Sequence, residues 1–475
     1  MATGDAVVRQ RRIRVRADLR RLWGRITFSA VLPWLVLVLG LLAYHQIYTV
    51  FRFDTPIHGD GEGYYAYLPA FLLDHDLSFA TLIRDHLLPA YAGLGRQQPA
   101  QFGFSLQPTG NWLDKYGVGE AMLLLPFFAI GHAIAAASRS AADGYTSAEV
   151  FAVGTAAIVY TAAGLLALRS VLRRHFPEWA VAVTLIAVTF GTSLFDFATW
   201  DSAGNHAFSF FVVATLLLVT LWWYERPGSW PRALLIGALA GLLADIRLTN
   251  GVLLVAVPLL GVGSVTALRV RLRMLWDQRW RLLGAAAAAI VVFVPQSITW
   301  YIATGHWLVR SYPGESFDFL HPHLIASLLS LKPHGLLPYA PVLTLAFAGL
   351  VWAWVRRRDI ALPVTAAFLP FWYIVSSWFD WSYSDAFGQR AFIDVLPLLA
   401  LPFAYLLVSL RWRWLRVTAV ATAGVLAGAT IVLMVAYWQY RMAGDGATWT
   451  QYVSVFRYPN LLFDRPLFPS WMVPR

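Results

Sequence analysis

Long apolar segments alternate with short polar connections along almost the whole chain. Segments of about 20 mostly apolar residues have the length of a membrane-crossing helix. Because a bilayer offers backbone groups no hydrogen-bond partners, this pattern predicts an all-α polytopic membrane protein. The apolar segments lie near 27–49, 118–137, 147–168, 179–197, 204–224, 232–246, 248–267, 282–303, 336–355, 360–379, 391–410 and 416–438.

Arginine-rich connections predict which ends of these helices face the cytoplasm. Short cytoplasmic loops are enriched in Lys and Arg. By that rule the basic N-terminus is cytoplasmic, and so are the stretches 169–175, 226–232, 269–281, 356–359 and 411–416. The intervening connections and the C-terminus then lie outside. We therefore expect a plasma membrane (inner membrane) protein whose N-terminus is cytoplasmic.

The segment 118–137 conflicts with this alternation. If it crossed, the loop 169–175, with its three arginines, would lie outside. We give the charge rule precedence and predict that 118–137 is a juxtamembrane or re-entrant helix. The prediction is then about eleven full crossings.

The predicted organisation is a single transmembrane domain with short flanks. Residues 1–26 form the basic cytoplasmic N-terminus, 27–438 the transmembrane domain, and 439–475 a short extracytoplasmic tail. The domain carries two large outer loops, 50–116 and 304–335. In the first loop, YYAYLPAFLLDHDLSFATLI mixes apolar and polar residues at helical spacing, which predicts a helix lying on the membrane surface.

Composition narrows the function classes. The chain is 58% hydrophobic and only 13% charged, and its net charge of +11 follows from the loop arginines, so a nucleic-acid partner is not expected. There is no cysteine, which excludes disulfides, thiolate metal sites and cysteine nucleophiles. No cleavable signal is evident, because the first apolar segment is too long and lacks a small-residue cleavage site.

Charges other than cytoplasmic arginines collect in the predicted outer connections, which indicates one polar cavity that opens outward. Arginine and lysine there suit a phosphate. A carboxylate suits removal of a proton from an attacking hydroxyl, or a divalent cation held through oxygen ligands. The clearest acids stand in HGDGEGYY, where Asp60 and Glu62 lie between glycines. A solvated glycine-rich loop is the alternative interpretation of this stretch.

Six stretches, in this order, resemble GT-C fold glycosyltransferases, the superfamily of polyprenyl-phosphate-sugar-dependent membrane enzymes that includes protein O-mannosyltransferases and lipid A aminoarabinose transferases. The similarity covers roughly 27–440. The stretches are DGEGYYAYLPAFLLDHDLSF, KYGVGEAMLLLPFFAIGHAIA, GTSLFDFATWDSAGNHAFSFF, GALAGLLADIRLTNGVLL, LLSLKPHGLLPYAPVLTLAFAGL and WSYSDAFGQRAFIDVLPLL.

The resemblance implies a reaction and a set of roles. A sugar would pass from a polyprenyl phosphate to an acceptor hydroxyl on the extracytoplasmic side, with inversion. The acceptor would be a glycan, a lipid or a protein. The catalytic carboxylate maps to Asp60, with Glu62 as the second candidate. Donor-phosphate contacts map to Lys115, Arg247, Arg390 and His206.

Several alternatives stay open from the sequence. In HGDGEGYY the acids form neither an Asp-Glu nor an Asp-x-Asp pair, so a divalent cation on Asp60 and Glu62 is undecided. Ion pairs with neighbouring acids would also account for Arg247 and Arg390. Snorkelling at the start of a helix would account for Lys115. A lipid-linked glycan flippase or transporter is the non-enzymatic alternative, and a surface-glycan polymerase or ligase with a lipid-diphosphate donor is the enzymatic one.

Overall fold

A computed structural model describes residues 27–50, 55–89, 103–383 and 386–458. The predicted cytoplasmic segment 1–26 and the end of the predicted tail, 459–475, lie outside these residues. The described part is mostly helical, as the apolar pattern predicts, and holds a single two-stranded sheet.

The helices up to residue 260 are α1 to α11. They are α1 Phe28–His45, which continues as a π-helical turn Gln46–Val50; α2 Asp60–Leu72; α3 Ala80–Leu82, followed by the π-helical turn Ile83–Leu87; α4 Val118–Ala137; α5 Ser147–Gly154; α6 Ala156–Leu172; α7 Glu178–Phe190; α8 Leu194–Thr199; α9 His206–Glu225; α10 Trp230–Ile246; and the 3-10 helix Leu248–Val255, which leads into α11 Ala256–Leu259.

The remaining helices are α12 to α20. They are α12 Val265–Asp277; α13 Arg279–Thr304; α14 Leu324–Leu329; α15 Leu336–Tyr339; α16 Leu343–Arg356; α17 Arg358–Ser376; the 3-10 helix Arg390–Val395, which leads into α18 Leu396–Ser409; α19 Arg413–Trp438; and α20 Trp449–Arg457.

Eight helices in the described residues are long and apolar enough to cross a membrane by length and composition. They include α4 and the bent pair α5–α6. Three shorter apolar helices, Glu178–Phe190, Leu248–Leu259 and Leu343–Arg356, accompany them. These features establish a multi-pass helical architecture, and the number of eleven crossings stays a prediction.

Contacts along α1 define two ends of the bundle. At the upper end, the Tyr48 hydroxyl donates to the carbonyl of Trp200 at 2.6 Å. At the lower end, Arg169 of α6 donates to the Ser29 hydroxyl at 2.7 Å. Between them, Ile158 packs on Gly40, so α1 and α6 run antiparallel. Later helices are positioned below by their contacts relative to these two ends.

Helix α4 begins and ends near the upper end. At its start, the backbone of Gly119 packs against Asp245 and Ile246, where α10 reaches the upper end. In its last turns, Nδ1 of His132 lies 2.6 Å from Oε1 of Glu149 in α5. Helix α5 is itself at the upper end, because Tyr44 near the end of α1 donates to the carbonyl of Phe151. A helix with both ends on one side fits the juxtamembrane or re-entrant prediction.

The first outer region differs in one respect from its prediction. A helix does form over Asp60–Leu72, but its residues Gly61 to Ala70 are buried, so it does not lie exposed on a surface. The Tyr67 hydroxyl donates to the carbonyl of Tyr116 at 2.7 Å, just before α4. The aromatic residues that suggested a surface helix pack inside the protein because α4 covers this helix.

The sheet fixes the chain just ahead of α4. Strands β1 (Phe104–Leu106) and β2 (Trp112–Asp114) form an antiparallel hairpin in which Phe104 pairs with Asp114. The hairpin is anchored to the upper end of α13, where Asn111 donates to the carbonyl of Ile302 at 2.8 Å. It thereby holds Lys115 and Tyr116, the next two residues, in place.

A candidate active site lined by cations

A cavity of about 800 Å³ opens at the upper end of the bundle. Its wall is built from widely separated segments: α2, the residues after β2, the start of α9, the α10 end, α13, the long loop 304–335, and the 380–390 region. The polar side chains of the wall that matter below are Asp60, Lys115, Tyr116, Asn205, His206, Arg247, Glu315, Tyr383 and Arg390.

Asp60 opens α2 and faces this cavity. Gly59, at φ 58°, turns the chain into the helix. The Asp60 carboxylate accepts two hydrogen bonds, from the Tyr116 hydroxyl at 2.6 Å and from Nη2 of Arg390 at 2.9 Å. Its side chain keeps 41% of its surface exposed, so a ligand in the cavity can still reach it.

Two opposing effects set the acidity of Asp60. Burial raises the pKa of the carboxyl, but Arg390 and the Tyr116 hydroxyl lower it by more, so its pKa lies below the ordinary value. Conversely, burial raises the pKa of Tyr116, and the Asp60 charge adds to that rise. Asp60 is therefore ionised at neutral pH and Tyr116 is a neutral hydrogen-bond donor.

The glycines of the DGEG stretch allow this close packing. A Cβ on Gly63 would lie 2.1 Å from the ring of Tyr116 and one on Gly61 2.5 Å from Ala203. A side chain at Gly63 would therefore collide with the ring of Tyr116, whose hydroxyl binds Asp60.

Arg390 begins the 3-10 helix that leads into α18. The preceding turn is shaped by Gly388, at φ 67°, which packs on Tyr339. The guanidinium also faces a second acid, because Nη1 of Arg390 lies 4.0 Å from Oδ2 of Asp201. Its Nε is buried and has no hydrogen-bond partner among the described residues. Because Arg390 lines the cavity and its Nη1 makes no hydrogen bond within the described residues, the guanidinium is suited to bind an anion there.

Arg247 and His206 share a buried carboxylate. Oδ2 of Asp394 accepts from Nη1 of Arg247 at 3.1 Å, and Oδ1 lies 2.9 Å from Nδ1 of His206. The Asp394 side chain is fully buried, with 0% exposed. Arg247 and Arg390 lie 5.1 and 5.8 Å from the ring centre of Tyr383, so one ring contacts both guanidinium groups.

Lys115 is held between an acid and two rings. Its Nζ lies 2.8 Å from Oε1 of Glu315, and 5.1 and 5.4 Å from the ring centres of Tyr116 and Tyr312. Both members of the ion pair line the cavity. A phosphate would have to share this ammonium group with Glu315.

Glu62 does not line the cavity, unlike the other five predicted residues. It is buried in α2, and its negative charge adds to the rise that burial causes in the pKa of Tyr145, which lies on another side of α2. Residues i and i+2 of a helix do not share a face. Asp60 and Glu62 therefore point in different directions, and a role for Glu62 in catalysis stays a prediction.

No three His, Asp or Glu side chains converge as a metal site within the described residues. The three histidines of the long loop are dispersed: His321 lies against Asp318, His323 stacks on Trp381, and His334 is buried elsewhere. Asp60 and Glu62 do not come together. A divalent cation is therefore not part of the mechanism proposed below.

Sequence reasoning missed two residues of the site. Asp394 stands inside the apolar stretch RAFIDVLPLL, where an acid is costly unless it has buried partners. An acid inside this apolar stretch therefore indicates that Asp394 has buried partners. Tyr116 gave no such signal, because tyrosines at helix starts are common at membrane interfaces.

The rest of the cavity wall is apolar and aromatic. Helix α13 contributes part of it and is the least buried of the eight long apolar helices. The cavity therefore lies beside a helix that faces the surroundings of the bundle. The main apolar wall residues are Leu248, Val252, Phe293, Trp300, Ile374, Trp378 and Phe379.

Comparisons with known proteins give a distant likeness. No family model and no curated protein matches the chain. Two solved structures of the Archaeoglobus fulgidus oligosaccharyltransferase are similar over 94% of this chain.

The first structure is AglB in complex with an inhibitory peptide and a dolichol-phosphate, at 11% identity and a TM-score of 0.46. The second is the apo form, at 12% identity and a TM-score of 0.43. The chain spans 61% of the length of each. Likeness at these scores carries no weight for activity, which has to be judged from the geometry of the cavity.

Proposed function

We propose that this chain is an integral-membrane glycosyltransferase that moves a sugar from a polyprenyl-phosphate donor to an acceptor hydroxyl. One observation carries the proposal: an ionised carboxylate, Asp60, lies in a cavity wall beside Arg390 and near two further cations, opposite an apolar wall. This arrangement offers a base, an anion site and a lipid-compatible surface within one cavity.

The cavity suits an amphiphilic phosphate. Arg390 and Arg247 would bind the phosphate oxygens through charge-assisted hydrogen bonds, and Lys115 would add a third positive charge. The apolar wall beside α13 would take the first part of the polyprenyl chain. His206 supports Arg247 through Asp394, so its role is to position the cation.

The chemistry follows from these positions. Asp60 accepts the proton of the acceptor hydroxyl as its oxygen bonds to the anomeric carbon. The bond between that carbon and the phosphate oxygen breaks, and the polyprenyl phosphate leaves with the bonding electrons. Arg390 and Arg247 stabilise the negative charge that develops on the leaving phosphate. Attack opposite the leaving group inverts the configuration of the anomeric carbon.

The contacts of the described helices also support the predicted topology. In this proposal eleven helical units of the described residues would cross the membrane: α1, α6, α7, α9, α10, the 3-10 helix with α11, α13, α16, α17, the 3-10 helix with α18, and α19. Arginines such as Arg174 and Arg232 mark the lower end. We infer that the lower end is cytoplasmic, that the cavity is extracytoplasmic, and that the membrane is the inner (plasma) membrane.

A transporter or flippase fits less well. Such a protein needs polar groups along a path that reaches both faces. The buried charged side chains of the described residues instead gather toward the upper end: Glu62, Asp114, Glu120, Glu149, Asp196, His206, Asp245, His334 and Asp394. This one-sided distribution favours an enzyme. A polymerase or ligase with a lipid-diphosphate donor would differ from the proposed enzyme only in its leaving group, a lipid diphosphate in place of a lipid monophosphate.

The test is a donor assay with the purified full-length protein in lipid nanodiscs. A panel of polyprenyl-phosphate sugars and polyprenyl-diphosphate sugars is incubated with glycan, lipid and peptide acceptors, and the released lipid is identified by mass spectrometry. The proposal expects release of polyprenyl monophosphate with the sugar on an acceptor. Turnover of diphosphate donors alone would assign the chain to the polymerases or ligases.

A further inference from the structure

Helix α12 lies at the lower end of the bundle, opposite the cavity, and none of its 13 residues is buried. Its start is capped by the Ser264 hydroxyl, which accepts from the amide of Ala267 at 3.1 Å. One side is anchored to the bundle by Arg271, whose guanidinium lies 3.5 Å from the ring centre of Tyr224 and donates to the carbonyl of Pro258. The helix is thus a fixed surface element.

The exposed side of α12 carries an apolar edge. Val265, Leu272 and Trp276 are 65%, 55% and 70% exposed. Their spacing of seven and four residues places them along one line of the helix. Apolar side chains this exposed are expected to meet a bilayer rather than water. We call these three residues the apolar edge.

A basic edge runs beside it. Arg269 and Arg273, four residues apart, are exposed and lie next to the apolar edge on the helical surface. Arg279 and Arg281 follow at the start of α13, and Asp277 is the single acid among these residues. Neither Arg269 nor Arg273 makes a hydrogen bond or ion pair within the described residues. Their charge is therefore available to an outside partner.

From these two edges we infer that α12 binds the anionic headgroups of the lipid leaflet at the lower end. The apolar edge would enter the acyl region while Arg269 and Arg273 contact lipid phosphates, as amphipathic helices do at charged interfaces. We infer a lipid phosphate as the partner instead of a soluble anion, because a soluble anion would leave the apolar edge exposed to water. This inference is independent of the sugar-transfer proposal, since the cavity is at the other end.

The test uses the absence of cysteine from the chain. The Val265→Cys variant is labelled with bimane and placed in nanodiscs that contain lipids brominated on the acyl chain. We expect brominated phosphatidylglycerol to quench the label more strongly than brominated phosphatidylcholine at the same mole fraction. In the Arg269→Gln/Arg273→Gln variant, the phosphatidylglycerol needed for half-maximal quenching should rise about fivefold per arginine.

A matched control carries Arg356→Gln/Arg358→Gln, two exposed arginines of another lower-end connection. It should keep the preference for phosphatidylglycerol. Equal quenching by both lipids in the otherwise unchanged chain would overturn the inference, and so would a preference that survives in the α12 variant. Absence of quenching by either lipid would show that α12 is not at the bilayer. Monodisperse elution of each variant confirms that the chain is folded.

Discussion

Two carboxylates at the upper end each hold an arginine, but they differ in what else can reach them. Asp60 keeps 41% of its side chain exposed in the cavity and binds Arg390 and Tyr116. Asp394 is fully enclosed, and both its oxygens are occupied by Arg247 and His206. Similar chemistry therefore serves two purposes: the open pair can exchange partners with a substrate, and the closed one fixes a cation in place.

The difference has a physical basis. Breaking a buried ion pair leaves an uncompensated charge without solvent, so such pairs stay formed. A partly exposed pair can give up one partner at lower cost because water or a ligand replaces it. A donor phosphate can accordingly compete with Asp60 for Arg390, whereas Arg247 should bind phosphate without leaving Asp394.

The largest effect is expected at the open carboxylate. Asp60→Asn removes the proton acceptor while keeping the shape of the side chain, so the rate of sugar transfer should fall about a hundredfold or more. The measurement is the turnover rate with a polyprenyl-phosphate sugar. Asp318→Asn, at an exposed acid of the long upper-end loop, is the matched control and should keep full activity.

Retained turnover in Asp60→Asn would remove this residue from the chemistry. Glu62→Gln separates the two acids of the stretch, and we expect it to affect transfer much less because Glu62 does not line the cavity.

The closed carboxylate should matter first for stability. Asp394→Asn leaves Arg247 and His206 without the charge that both contact, which should lower the free energy of unfolding by about 3 kcal/mol or more. Thermal unfolding in detergent measures this loss, with Asp60→Asn as the reference. Equal melting temperatures for the two variants would contradict the distinction between an open and a closed pair.

The two arginines of the cavity wall, Arg247 and Arg390, should strengthen binding of the donor. Arg390→Gln and Arg247→Gln each remove a charge-assisted hydrogen bond, worth about 1.5–3 kcal/mol, so the KM for the donor should rise about tenfold or more. The KM for the acceptor should change little. A selective rise in the acceptor KM instead would place the phosphate elsewhere.

The smallest effect concerns pH. Tyr116→Phe removes a hydrogen bond that lowers the pKa of Asp60, so that pKa should rise. Asp60 must be ionised to accept a proton, and activity is lost as the pH falls through its pKa. The acid limb of the pH–rate profile should therefore move to higher pH. An unchanged acid limb would mean that another group limits the rate at low pH.

Much of this site could be anticipated from where charges fall along the chain. Asp60, Lys115, His206, Arg247 and Arg390 stand at the ends of apolar segments, and alternation of the segments predicts that these ends meet on one side. The structure brings all five to one cavity.

The remaining features depend on packing between distant residues. Asp394 meets partners 147 and 188 residues away, and no local pattern shows which ones. The separation of Glu62 from Asp60 follows from α2 beginning at Asp60, whereas the glycines around them suggested a loop. Helix α4 has the length of a full crossing, and no local pattern shows that both of its ends contact the upper end of the bundle.

The central claim is that the cavity binds a lipid phosphate through Arg247 and Arg390 while Asp60 performs the proton transfer. Native mass spectrometry with polyprenyl phosphate tests it most directly, by comparing the unmodified chain, Asp60→Asn and the Arg247→Gln/Arg390→Gln variant. We predict one bound polyprenyl phosphate per chain, retained in Asp60→Asn and lost in the double variant. Equal retention in all three proteins would contradict the account.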